Sequence, residues 1–207
     1  LCLAMALSLL PTAALADEGE AARTGDLTYT TANETISGFT YTSGKMTINA
    51  ENVTVENVTF GDDACLEVNT SGRFTLKNCT FNGKAEVRTP VTLNVGSATV
   101  TGNTFNGTKE DGTPSYYNAI EFAVSSGNML SSATLSNNTF EAAIENNYFS
   151  TYYYADNAVI TAEKNVIKLA NRGSNAIRIS NVTNSNVTFK LNNNSYEFSD
   201  ASGSRRS

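Results

Sequence analysis

Short alternations of apolar and polar residues recur along most of this chain, each cut by an asparagine or glycine and then briefly resumed. The recurring window has apolar residues in its first and third places and a turn former in its fifth. Thr or Ser then stands in the seventh place and an aromatic in the eighth. It reads VTVENVTF at 53–60, FTLKNCTF at 74–81, ATVTGNTF at 98–105, ATLSNNTF at 133–140 and FKLNNNSY at 189–196. Apolar residues two apart mark a strand with one buried face. Asn57, Asn78, Gly102, Asn137 and Asn193 fill the fifth place. Asn and Gly tolerate the left-handed backbone, so a tight bend is expected there. The chain should then resume as a short strand ending on a buried Phe60, Phe81, Phe105, Phe140 or Tyr196. Self-similarity at a period of roughly 20–35 residues means stacked supersecondary units rather than one globular core.

A second pattern alternates with the first: CLEV at 65–68, TLNV at 92–95, AIEF at 119–122, AVIT at 158–161 and AIRI at 176–179. Leu66, Leu93, Ile120, Val159 and Ile177 are expected to point inward. Glu67, Asn94, Glu121, Ile160 and Arg178 then form the outward column. Two further stretches fit less well: YTTANETI at 29–36 is loose, and TAEKNVIKL at 161–169 is out of step. Like strands from successive repeats can pair in parallel, which would set equivalent residues about 4.8 Å apart. A β-sandwich also has short strands between turns, but it has no reason to repeat one bend chemistry at one place.

The N-x-T-F bends and N-A-I-x-I strands resemble the right-handed parallel β-helix of the pectate-lyase-like superfamily. The resemblance covers about residues 27–198, and it implies an all-β solenoid of about seven coils. It also implies stacked Asn at the bends, aromatic or aliphatic ladders inside, and a functional surface along an outward strand and its neighbouring loops. In a lyase of that superfamily, carboxylates hold calcium and an Arg or Lys takes the proton. The Gly61-Asp62-Asp63-Ala64-Cys65 segment is similar to the Asp-Asp-Cys segment of polygalacturonase-type hydrolases, and Arg178-Ile179-Ser180 to their Arg-Ile-Lys. Here an Ala intervenes before Cys65, Ser180 replaces the Lys, and their Gly-His-Gly element has no counterpart.

Composition narrows the chemistry. There is no histidine in the 207 residues, which removes the commonest metal ligand and the usual general base. The net charge is −6, which argues against a nucleic-acid partner, because phosphate binding relies on clustered Lys and Arg. Residues 1–16, LCLAMALSLLPTAALA, read as the apolar core and Ala-x-Ala end of a truncated secretory signal peptide. No later apolar run reaches the roughly 18 residues of a membrane span. The expectation is therefore a secreted or cell-surface protein, compatible with bacterial export. Its parts are a polar segment at 17–26, the β-helix domain at 27–198, and a linker or loose tail at 199–207. Cys65 and Cys79 are too few for a disulfide framework, although an oxidising compartment would permit a pair.

Two sets of residues are candidates for function. Glu67, Glu121, Arg178 and Asp63 could serve a polysaccharide lyase or hydrolase; Glu67 and Glu121 would stand on the order of 9–10 Å apart, near the upper limit for inverting glycosidases. The segments 106–117 and 141–156 are longer than the other connections and are expected to emerge side by side. They carry Tyr116, Tyr117, Tyr148, Tyr152, Tyr153 and Tyr154 beside Asp156. Tyr pairs a flat apolar face with a polar tip, which suits a sugar ring or a protein surface, and long loops on a rigid scaffold commonly carry function. No matched catalytic set is present. The leading expectation is accordingly a non-catalytic protein that binds a polysaccharide, a surface glycan or a surface protein through these tyrosines. An enzyme acting on the outward face and a spacer repeat of a larger surface protein are the alternatives. No cofactor is expected; clustered carboxylates could take calcium, but no calcium-loop spacing occurs.

Overall fold

The computed structural model describes residues 22–83, 89–107, 109, 115–169, 175–180, 186–199 and 205–206. The expected leader lies outside them. Every regular element among the described residues is a β-strand, and nearly every pairing is parallel and between strands distant in sequence. The exception is Arg205–Arg206, which lies antiparallel against Ser195–Ser199.

The pairings form three stacks. In the first, Leu27, Met46, Leu66, Val91, Ile120, Asn147 and Ile177 lie in register. In the second the register runs Ile36, Val55, Leu76, Val100, Leu135, Ala162 and Leu191. In the third it runs Tyr41, Phe60, Phe81, Phe105, Phe140, Ile167 and Tyr196. Long strands such as Thr59–Lys77 contribute to more than one stack. The inward faces meet in a single apolar core. In the third stack Phe60, Phe81, Phe105 and Phe140 lie face over face, with centroids 4.4, 4.8 and 4.9 Å apart. Strand spacing in a parallel sheet imposes that distance on rings that share a column.

Between the second and third stacks the chain turns at Gly38, Asn57, Asn78, Gly102, Asn137, Lys164 and Asn193, all at positive φ. The left-handed conformation costs an ordinary L-residue about 1–2 kcal/mol, and Gly and Asn least, so the fifth place of the window selects them. Lys164 adopts φ 54° without that relief.

The residue after each of the last four bends carries a device that the bend pattern does not announce. Asn103, Asn138 and Asn165 are buried there, and Asn194 continues their column. The Oδ1 of Asn138 accepts from both the backbone N (3.0 Å) and Nδ2 (2.9 Å) of Asn103. Its own Nδ2 donates to the Val100 carbonyl and to Asn165 Oδ1. Asn165 repeats the arrangement with Asn194 and the Leu135 carbonyl. At the other end Asn103 Oδ1 accepts from the Cys79 amide at 2.8 Å. Both donors and both lone pairs of the central amides are thus used, the condition for burying an amide without penalty.

Several expectations change. The first copy of the window is not 29–36 but ETISGFTY at 34–41, because Ile36 pairs with Val55 and Tyr41 with Phe60. The stretch expected to be out of step is in register as ITAEKNVI at 160–167, since Ile160 pairs with Ala133 and Ile167 with Phe140. Ile160 is therefore buried, whereas Val159 is only partly covered. Tyr196 is 40% exposed, and among the described residues no further strand covers its column. Asp62 and Asp63 lie within a strand, at a register shift opposite Tyr41 and Ser43. Cys65 and Cys79 are free thiols.

Asn138→Ala would orphan the Asn103 amides and the Val100 carbonyl, at roughly 1–3 kcal/mol per buried group. We expect it to lower the urea midpoint sharply. Asn137→Gly, one residue away at the bend, should leave the midpoint nearly unchanged.

Candidate functional site

The outward column of the first stack reads Thr47, Glu67, Thr92, Glu121, Tyr148 and Arg178 in register. Two members differ from the expected column. Thr92 replaces Asn94, which pairs with Asn69 instead, and Tyr148 replaces Ile160. The TLNV segment had been placed two residues out of register, a slip that keeps every side chain on its own face.

At one end of the column Lys45 Nζ donates to Glu67 Oε2 at 2.9 Å, and Asn69 Nδ2 donates to Glu67 Oε1 at 3.0 Å. The Asn69 bond, then the Lys45 bond and charge, hold the Glu67 carboxyl below its ordinary range. Asn94 Nδ2 donates to Asn69 Oδ1, and Asn94 Oδ1 accepts from the Ser125 amide at 2.9 Å. In the middle, Asn118 Nδ2 donates to Glu121 Oε2 at 3.1 Å. At the far end the Arg178 guanidinium lies 4.9 Å from the Tyr148 ring centre, and Ser180 Oγ donates to the Tyr148 hydroxyl at 3.2 Å.

The four catalytic candidates do not converge. Glu67 and Glu121 are two pairings apart, about 10 Å at the strand spacing, and Arg178 stands about 10 Å beyond Glu121. Asp63 lies four residues before Glu67 on one strand, about 13 Å away. No single reacting atom could touch them all. Glu67, ionised and doubly hydrogen-bonded, is poorly suited to donate a proton, since a general acid needs a raised pKa. Among the described residues no three Cys, Asp or Glu side chains are grouped to hold a metal ion, and no helix is long and apolar enough to cross a membrane.

The tyrosines separate into two kinds. Tyr116 and Tyr154 are buried. The Tyr116 ring lies over Gly83 and Gly107, where a Cβ would collide with it. Tyr154 packs against Phe189. Neither offers a face to a ligand. Tyr117, Tyr152 and Tyr153 are exposed, Tyr152 by 58%, and Asp156 is exposed in the strand that follows. The tyrosines do not form one loop cluster, because residues 141–149 belong to the strand Thr139–Phe149, with Ala143, Glu145 and Asn147 paired to Tyr116, Asn118 and Ile120. Tyr117 therefore lies near the start of the first-stack strands, and Tyr152 and Tyr153 just past their end. Tyr148 is on the outward column between them. Glu110 and Asp111 lie outside the described residues.

Lys45, Asn69, Thr92 and Ser125 were not singled out in the sequence. The spacing of Asn69 and Asn94 within their strands was a usable signal, but only once the register was known. Comparison with protein families, curated proteins and solved structures finds no match.

Among the described residues the buried Tyr154 hydroxyl has no hydrogen-bond partner. Tyr154→Phe should therefore raise stability, by about 1 kcal/mol. Burial also pushes the Tyr154 pKa up to about 12. The folded protein thus favours the neutral phenol, and the associated stability is intact below the unfolded value near 10 and falls as pH rises through 12. The Phe variant should retain its circular dichroism to higher pH than the parent; earlier loss of signal would contradict this placement.

Proposed function

We propose that this chain is an exported, non-catalytic right-handed parallel β-helix of about seven coils, of the pectate-lyase-like kind, that binds a glycan along one outward face. The three stacks and the repeated bend support the solenoid, and the strong preference of parallel crossovers for the right hand supports its handedness. The face is the first-stack column from Glu67 to Arg178, flanked by Tyr117 at one edge and by Tyr152 and Tyr153 at the other.

One observation carries the reading: a carboxylate, an aromatic ring and a guanidinium occupy successive places of a single outward column at Glu121, Tyr148 and Arg178. The flat ring suits the apolar face of a sugar, and the carboxylate and amides suit its hydroxyls. Rigid strands hold these groups at fixed spacing, so little ordering cost is left for binding. The dispersed carboxylates favour binding over hydrolysis or elimination.

Binding of the chain to a glycan array should identify the ligand. Tyr148→Ala, or Tyr152→Ala with Tyr153→Ala, should weaken the best hit by about tenfold, or 1.4 kcal/mol, with the melting temperature unchanged. A hit that is indifferent to both variants would refute the assignment of this face.

A further inference from the structure

Building on that reading, we infer that the ligand is an uncharged glycan lying lengthwise along the column, not an acidic polymer. The charges of the face are the reason. The two cationic side chains of the face among the described residues are already engaged: Lys45 is paired with Glu67 at 2.9 Å, and Arg178 is stacked on Tyr148. The carboxylates are not balanced to the same degree. Glu121 receives a hydrogen bond from Asn118 at Oε2 and is in no ion pair among the described residues. A polyuronate laid here would bring carboxylates past Glu67 and Glu121 on a chain whose net charge is −6. Like charges brought together at an interface weaken binding.

A neutral sugar meets the opposite situation. Its hydroxyls can donate to the outward carboxylates in charge-assisted bonds, which are about twice as strong as neutral ones. The Asn69 and Asn94 amides can both donate and accept. Tyr148, one pairing beyond Glu121, offers the ring for stacking.

The lengthwise direction follows from the register. Glu67, Thr92, Glu121 and Tyr148 succeed one another along the stacking axis, a span of roughly 14 Å at the strand spacing. Repetition of polar groups along one line fits an extended chain of several sugars better than a single ring. Affinity should therefore rise with oligosaccharide length until the span is filled.

The test is affinity electrophoresis and calorimetry of the full chain against matched polymers. Polygalacturonate and its fully methyl-esterified form share a backbone and differ in charge; neutral β-glucan, xylan and mannan with their oligomers complete the set. We expect a neutral polymer to bind at least tenfold more tightly than any acidic one, with affinity growing from disaccharide to tetrasaccharide. Glu121→Gln should weaken neutral binding severalfold, while Thr92→Lys, which places a cation between the two glutamates, should shift preference toward the acidic polymer. Circular dichroism would establish that both variants are folded. Tightest binding to polygalacturonate, or no response to either substitution, would overturn the inference and leave glycan binding standing. Binding to no polymer of either kind would overturn both.

Discussion

The parallel register between repeats is the constraint on which the rest of this protein depends, and the buried asparagine column is what enforces it most directly. A parallel stack with apolar interior columns could slip by two residues and keep its faces. Slippage is much costlier where Asn103, Asn138, Asn165 and Asn194 must each meet the next amide. Any offset would strand several donors and acceptors in the core. The aromatic column from Phe60 to Phe140 adds shape to the same register. The amides restrict the alignment, and the rings fill the interior of their column.

That register builds the outward face. Because the first stack shares strands with the other two, the positions of Glu67, Thr92, Glu121 and Tyr148 are determined by pairings on either side of each of them, and that of Arg178 by its pairing with Tyr148. Their hydrogen bonds to Asn69, Asn118, Lys45 and Ser180 orient the heads without moving the column. The result is a linear array of separated polar groups and one ring. Such an array is suited to recognition along a polymer, whereas catalysis would need the groups gathered about one bond.

Much of the architecture was legible because the bend is a local event. A left-handed backbone demands Asn or Gly at a fixed place, and that demand recurs wherever the chain turns the same corner. The reading weakened where a repeat used other residues, as at Lys164 and Ile167, whose ITAEKNVI carries neither the bend Asn nor the aromatic. It failed for the first-stack register because the corners around it vary in length and because Asn147 occupies an inward place held elsewhere by Leu, Met, Val or Ile. The strand ending in Tyr148 and Phe149 therefore reads as a loop, and AVIT reads as the strand in its stead. Burial of Tyr116 and Tyr154 was equally hidden: adjacent tyrosines in a sequence do not show which of them faces the core. The bend asparagines were expected to form the ladder, yet the buried ladder stands one residue later, where Phe39, Val58 and Cys79 hold the same place in the earlier repeats.

Hydrogen exchange of the backbone amides tests the enforced register most directly. The amides of Asn103, Asn138 and Asn165, each bonded to a side-chain oxygen of the neighbouring repeat, should be among the slowest in the molecule and should exchange only with unfolding of their repeats. Exchange of these three within minutes under native conditions, at rates like those of the Tyr152 and Tyr153 turn, would contradict the account.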